Sequence, residues 1–129
     1  MTPRGGNPAT TITFQPPARL LNMNDRGHWA PRARLTRLWR ERAYYATIEQ
    51  IPAPRALPPC VVAIDLPVRD RHRRDPANLT PVTKACVDGI TDAGVWPDDS
   101  GEWVATTEPR LIVGGTLVTI TLTPRETAA

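Results

Sequence analysis

Proline sets the punctuation of this chain more firmly than any other residue. Fifteen of the 129 residues are proline. Each lacks an amide hydrogen and has a fixed φ, so it suits first helical turns, strand ends and connectors but not the interior of an element. Pro31 and Pro52 therefore bracket a helix over residues 32–50. Within it Leu35, Leu38, Trp39, Ala43 and Ala46 recur at spacings of three and four, one apolar stripe. Arg32, Arg34, Arg37 and Arg40 fall largely off that stripe. Four prolines in residues 51–59 make a stiff connector, too short to separate two domains. Gln15-Pro16-Pro17 closes a short strand over Thr11 to Phe14. Pro81 suits the first turn of a second helix over residues 80–93, with Thr80 as its N-cap and Gly94 as its stop.

Between these marks, Cys60 to Leu66 is rich in valine and isoleucine and predicts a buried strand. Residues 69–74 lack apolar periodicity and predict a loop. Trp103 to Val113 and Thr116 to Thr123 read as two strands joined as a hairpin at Gly114-Gly115. The order β-α-β-α-β-β predicts an α/β (α+β) fold, a small mixed β-sheet covered by two helices. Residues 11–123 are expected to form a single domain, with a disordered tail over residues 1–10 and a short tail over residues 124–129. A chain of this size buries roughly two-thirds of its unfolded surface, so it needs neither a metal nor a disulfide to fold. Cys60 and Cys86 are accordingly expected as buried thiols. No run approaches the roughly 20 apolar residues of a membrane helix, and Met1 to Thr11 has no apolar core of the secretory kind. The expectation is a cytoplasmic chain without a membrane partner.

Several chemistries are disfavoured by composition. The only histidines are His28 and His72, which nearly excludes a Cys/His zinc site. Ser100 is the only serine and no GxSxG surrounds it. There is no Walker loop and no GxGxxG, so no small-molecule cofactor is indicated. Charge is distributed unevenly. Residues 1–60 hold nine arginines against Asp25, Glu41 and Glu49, whereas residues 85–129 hold seven acids against Arg110 and Arg125. A basic first half and an acidic second half fit a polyanion approaching a carboxylate site. Lys84 is the only lysine among sixteen basic residues, a weak hint that its position wants an ammonium.

One stretch gathers these features. Arg73-Arg74-Asp75-Pro76-Ala77-Asn78 stands at a strand-to-helix junction. Lys84, Asp88 and Asp92 follow at spacings of four on the polar side of the second helix, and Asp98-Asp99 closes the segment. Paired carboxylates with a nearby lysine suit magnesium-assisted phosphodiester hydrolysis. On local grounds alone, Asp75 before Pro76 reads as a turn or N-cap residue, and residues 98–101 as a solvated loop. The run Arg69 to Arg74 holds four arginines and His72 in six residues, as a phosphate-binding loop would.

Taken together, residues 73–100 resemble the core of the RusA-type Holliday-junction resolvases, a family common in phages and prophages. Leu21 to Trp29, with Asn24, is similar to that family's N-terminal segment, and the resemblance extends over roughly residues 11–123. It implies a crossover junction endodeoxyribonuclease acting in DNA recombination and repair. Such an enzyme resolves four-way DNA junctions by paired symmetric nicks, as a homodimer with magnesium (manganese may substitute). It carries Asp75 and Asp99 over as catalytic metal ligands, Lys84 as the catalytic lysine and Asn78 as the family asparagine. The family's middle aspartate falls at position 77, which is alanine here. Asp88 is then the first choice for a third ligand, with Asp98 or the Asn78 amide next. The resemblance also implies DNA contacts from Arg71, Arg73, Arg74, Arg32, Arg34, Arg37 and Asn24, and the host cytoplasm for a phage-encoded chain. The alternative implied by Ala77 is a protein that binds branched DNA with weak or no cleavage.

Overall fold

A computed structural model describes residues 8–23, 29–71 and 74–125, with Trp29 and Ala30 described by their backbone only. The strands are β1 (Thr10–Phe14), β2 (Cys60–Val68), β3 (Val104–Thr106), β4 (Arg110–Val113) and β5 (Val118–Pro124). The helices are α1 (Trp29–Gln50) and α2 (Thr80–Asp92), and a 3-10 turn, Pro76–Leu79, leads directly into α2. The expected mixed sheet with two helices stands. The helices also begin close to where proline chemistry places them. α1 starts three residues earlier than its bracket, which leaves Pro31 inside the first turn, where a missing amide costs nothing.

Strand β2 organises the molecule. It pairs antiparallel with β5 on one side and parallel with β3 and β4 on the other, and β1 adds antiparallel to β5. Its residues alternate strictly. Cys60, Val62, Ile64, Leu66 and Val68 are buried, and the residues between them are half-exposed. Val118, Ile120 and Leu122 of β5 and Ile12 and Phe14 of β1 share that buried face. The helices cover it with Trp39, Ala43, Ala46, Val82, Cys86 and Ile90. Period-two burial is what a one-sided sheet requires, and the same period leaves a row of threonines on the other face.

Two strand assignments need correction. The stretch expected as one strand from Trp103 to Val113 is broken into β3 and β4. Val62 is opposite Thr106 and Asp65 is opposite Arg110, so this edge carries one residue more than β2 offers. The surplus falls at Thr107 to Pro109, and Pro109 has no amide to give to a ladder. The second correction concerns the hairpin. Gly114 does turn the chain at a positive φ of 79°. However, β4 and β5 lie on opposite sides of β2 and do not pair. The Gly114 amide donates to the Val68 carbonyl at 2.9 Å, so the turn wraps the end of β2. A glycine pair fixes a reversal of direction, and the apolar pattern of β2 fixes which strand lies between.

The helices meet closely at Gly89. A Cβ there would overlap the Arg40 carbonyl oxygen and lie 3.0 Å from the Tyr44 amide nitrogen. This close approach fixes where Arg40 emerges relative to the polar face of α2. Trp39 fills the space below, with its indole N–H donating to the Arg19 carbonyl at 3.0 Å and its ring edge-on to Phe14. Gln50 ties the end of α1 to β1 by accepting from the Thr13 amide and donating to the Thr13 carbonyl. Cys60 and Cys86 are free and buried, as expected. Among the described residues no helix is long and apolar enough to cross a membrane.

Candidate functional site

The 3-10 turn and α2 form one continuous spiral, and this changes which residue caps it. Thr80 was the expected N-cap, but it is already helical at φ −57° and ψ −27°. The side chain that satisfies an orphan amide is that of Asp75, which accepts from the Ala77 N–H at 3.0 Å. The extra turn starting at Pro76 pushes the helical start upstream of Thr80, so the cap moves with it. At the other end Gly94, at φ 92°, lets the chain leave α2 and fold back along it. Val95 and Trp96 are buried and hold this return, the indole N–H of Trp96 donating to the Pro58 carbonyl. Asp98 accepts from the Ser100 amide at 2.8 Å, and the Ser100 carbonyl accepts from the Trp103 and Val104 amides. The loop is thereby fixed at both ends, and Asp99 is presented to α2.

Lys84 receives it. Its ammonium donates to Asp88 at 2.9 Å, one turn along the helix, and makes a close bond to Asp99. The bond to Asp99, and then that to Asp88, raises the Lys84 pKa above the ordinary lysine value. Asp99 is held below the usual carboxylate range by Lys84 first and by the adjacent Asp88 second. Asp98 is also lowered, by its hydrogen bonds to Ser100. From α1, Arg40 grips Asp92 with both arms at 2.6 and 2.9 Å and comes within 3.9 Å of Asp88. Asp92, Arg40, Asp88, Lys84 and Asp99 thus form a chain of alternating charge across α1, α2 and the following loop. Arg40 was legible only as an arginine on a polar face, since its partner lies 52 residues away.

Beside this chain of charges is a cavity of about 600 Å³. Lys84, Asp99 and Arg32 contribute charge to its lining, and Met23, Pro81, Val87 and Val104 contribute apolar surface. Thr80, Thr83, Thr106 and Thr107 complete it. Thr83 is only 4% exposed, and its hydroxyl has no hydrogen-bond partner among the described residues. An orphaned buried hydroxyl costs about 1–3 kcal/mol. The segment carrying Met23 is docked by its amide, which donates to the Asn78 carbonyl at 2.8 Å. None of these cavity residues apart from Arg32, Lys84 and Asp99 was singled out for function from sequence. A threonine within an apolar helix face carries no local signal of the space it borders.

The remaining expected residues are placed unevenly. Asp75 is exposed and serves as a cap, and Asn78 lies in the same turn. Arg74 pairs with Asp70 at 3.2 Å, and Arg71 is exposed. Arg34 and Arg37 are exposed on α1, with Arg37, Thr36 and Arg40 along a shallow groove that Arg32 joins to the cavity. Asn24 and Arg73 lie outside the described residues, as do residues 1–7 of the expected 1–10 tail and residues 126–129 of the expected 124–129 tail, whereas Thr10 belongs to β1 and Pro124 to β5. Among the described residues no three histidine, cysteine, aspartate or glutamate side chains group closely enough to hold a metal ion. Asp88 and Asp99 do share one cation. Magnesium is commonly held by one or two carboxylates when substrate phosphates and water complete its shell. This pair therefore fits an ion completed by substrate and not a preformed protein cage. No family model matches the chain, and no curated protein matches it either, so what the site can do rests on the geometry of these residues.

Proposed function

We propose that this chain is a magnesium-dependent endodeoxyribonuclease that resolves four-way DNA junctions by paired nicks. The observation that carries the proposal is the meeting of Lys84 with Asp88 and Asp99 at a cavity that Arg32 also lines. The resemblance of residues 73–100 to the RusA-type resolvases points to Lys84 and Asp99 among them, and to Asp75, with Asp88 the first choice for the ligand that Ala77 does not supply. When bound at Asp88 and Asp99, magnesium supplies charge neutralisation at the phosphate and an activated water. Lys84, beside the same two carboxylates, would stabilise the charge that develops on the phosphoryl oxygens. Arg40 keeps Asp88 and Asp92 in place from the other helix. Arg32 at the cavity binds a backbone phosphate, and Arg34, Arg37, Arg71, Arg73 and Arg74 are the further phosphate contacts of the proposal. Binding through so many arginines is steeply salt-dependent. Two symmetric nicks need two such sites, so a two-fold homodimer is part of the proposal.

A second reading has a specific observation behind it. Asp75 is engaged as a cap and position 77 is alanine, so two of the family's carboxylate positions supply no partner to Asp99. That favours a branched-DNA binding protein with weak or no cleavage. A fixed four-way junction and a matched linear duplex, each with magnesium or EDTA, separate the two readings on a denaturing gel. Paired nicks on the junction, lost in EDTA and in Asp99→Asn, are the result expected of the resolvase. Tight, salt-sensitive junction binding without nicks would establish the second reading. Absence of both binding and nicking would overturn the two together.

A further inference from the structure

The carboxylates that the proposed function assigns to magnesium already share a cation of the chain's own. The Lys84 ammonium donates to Asp88 at 2.9 Å and makes a close bond to Asp99. Two positive charges cannot both sit between the same pair of carboxylates without strong mutual repulsion. Arg40 does not play this part, because both of its arms are on Asp92 and it approaches Asp88 only to 3.9 Å. Of the three groups, Lys84 is the one built to move. Its side chain is 65% exposed, against 23% for Asp88 and 34% for Asp99. Asp88 is fixed on α2, and Asp99 sits on a loop tied down where Asp98 accepts from the Ser100 amide. Lys84 also lines the cavity to which Arg32 contributes, so its flexible stem can carry the ammonium toward a phosphate there.

We propose that Lys84 is an internal counter-cation for the Asp88–Asp99 pair, that it competes there with a divalent cation, and that a DNA phosphate draws it off the pair. The proposal deepens the junction-cleaving function and rests on it for the identity of the phosphate. With Lys84 in place, two carboxylates against one ammonium leave a single negative charge, a poor match for a divalent ion. When the ammonium turns to a phosphate, both carboxylates are released, and the phosphate adds oxygens to those the chain offers. Affinity for the divalent cation therefore rises with DNA, and by linkage the cation strengthens DNA binding by the same factor. The pair is loaded chiefly when a strand is present to be cut.

Lys84 is the only lysine in the chain, so labelling lysine with carbon-13 gives a single side-chain ε signal by NMR. In the full chain without DNA, at fixed ionic strength, magnesium is expected to move that signal saturably, and Asp99→Asn to abolish the movement. A fixed four-way junction in EDTA is expected to move the same signal. Manganese affinity is read separately, from the loss of the free-ion EPR signal. Lys84→Met keeps a long apolar stem without the charge, and without DNA it is expected to bind manganese about tenfold more tightly than the wild type. The gain should vanish when Asp99→Asn is added, and Tm should change little in Lys84→Met because the lost pairs are exposed. A lysine that makes only a surface ion pair predicts equal manganese affinity in the two proteins, and that result overturns the proposal. So does weaker binding by Lys84→Met, binding by neither protein, or a lysine signal indifferent to magnesium. A junction that binds without moving the signal overturns the coupling to DNA. A chain that nicks junctions while Lys84→Met gains no manganese affinity retains the proposed function and loses the counter-cation. If the junction neither binds nor is cut, the proposed function fails, and the magnesium and manganese results decide the exchange at the carboxylates by themselves.

Discussion

Two of the groups of ion-paired side chains among the described residues differ in what put them there. Asp65 and Arg110 are register partners on β2 and β4, and their side chains form a two-armed pair at 3.0 and 3.1 Å. The ladder places them opposite each other, so cross-strand pairing accounts for the contact completely. Lys84, Asp88 and Asp99 have no such ladder. They are assembled from a helix and a loop that is anchored by Trp96, Asp98 and Ser100. Arg40 joins from a third element. Three carboxylates converge on two cations there, beside a cavity that Lys84 and Asp99 line. Exposed ion pairs contribute little to stability, which makes stability a poor explanation for so much positioning. The comparison teaches that a charge cluster points to function when its placement needs more fixed elements than its energy justifies.

The comparison can be broken at several places. Gly89→Ala should have the largest effect, because the added methyl meets the Arg40 backbone and not a movable side chain. A loss of about 3 kcal/mol is expected on chemical denaturation, together with displacement of Arg40 from Asp92. Native stability in that variant would mean that the helix crossing does not hold the charge chain in place. Asp99→Asn should lower the junction-nicking rate by at least about 100-fold, on the order of 2.7 kcal/mol of barrier, with little change in stability. Arg110→Ala, the matched lesion in the other cluster, should leave nicking unchanged. Equal losses in the two would erase the distinction drawn here. A double-mutant cycle on Asp65 and Arg110 should return only about 0.2–1 kcal/mol of coupling, as an ordinary cross-strand pair does.

The smallest effect is on acid stability. Asp92 is held below its ordinary range by Arg40, chiefly through their hydrogen bonds. The unfolded chain therefore takes up the proton first. The contribution of this carboxylate is complete above the ordinary aspartate value of about 3.9 and is lost as pH falls through the lowered native value. Asp92→Asn should accordingly flatten the decline in Tm as pH falls below about 4. An unchanged slope would show that the Arg40 pair is open in solution.

Much of this fold follows from local chemistry. Proline positions and the stripe from Leu35 to Ala46 locate both helices, and Gly94 marks where α2 ends, because these constraints act within a few residues. Lys84 and Asp88 are neighbours by helical spacing alone, and Asp99 was singled out before its partner was placed. The sequence determined the two helices and strands β1, β2 and β5, but not the break that separates β3 from β4. Only the tertiary structure decided that β2 separates β4 from β5 and that Arg40 reaches Asp92. It also decided that Thr83 lines the cavity beside Lys84. The physical reason is one of range. Dihedral preference, capping and periodic burial act along the chain within a turn or two. Strand neighbours, interhelical ion pairs and cavities depend on residues far apart in sequence, which packing around one shared core brings together.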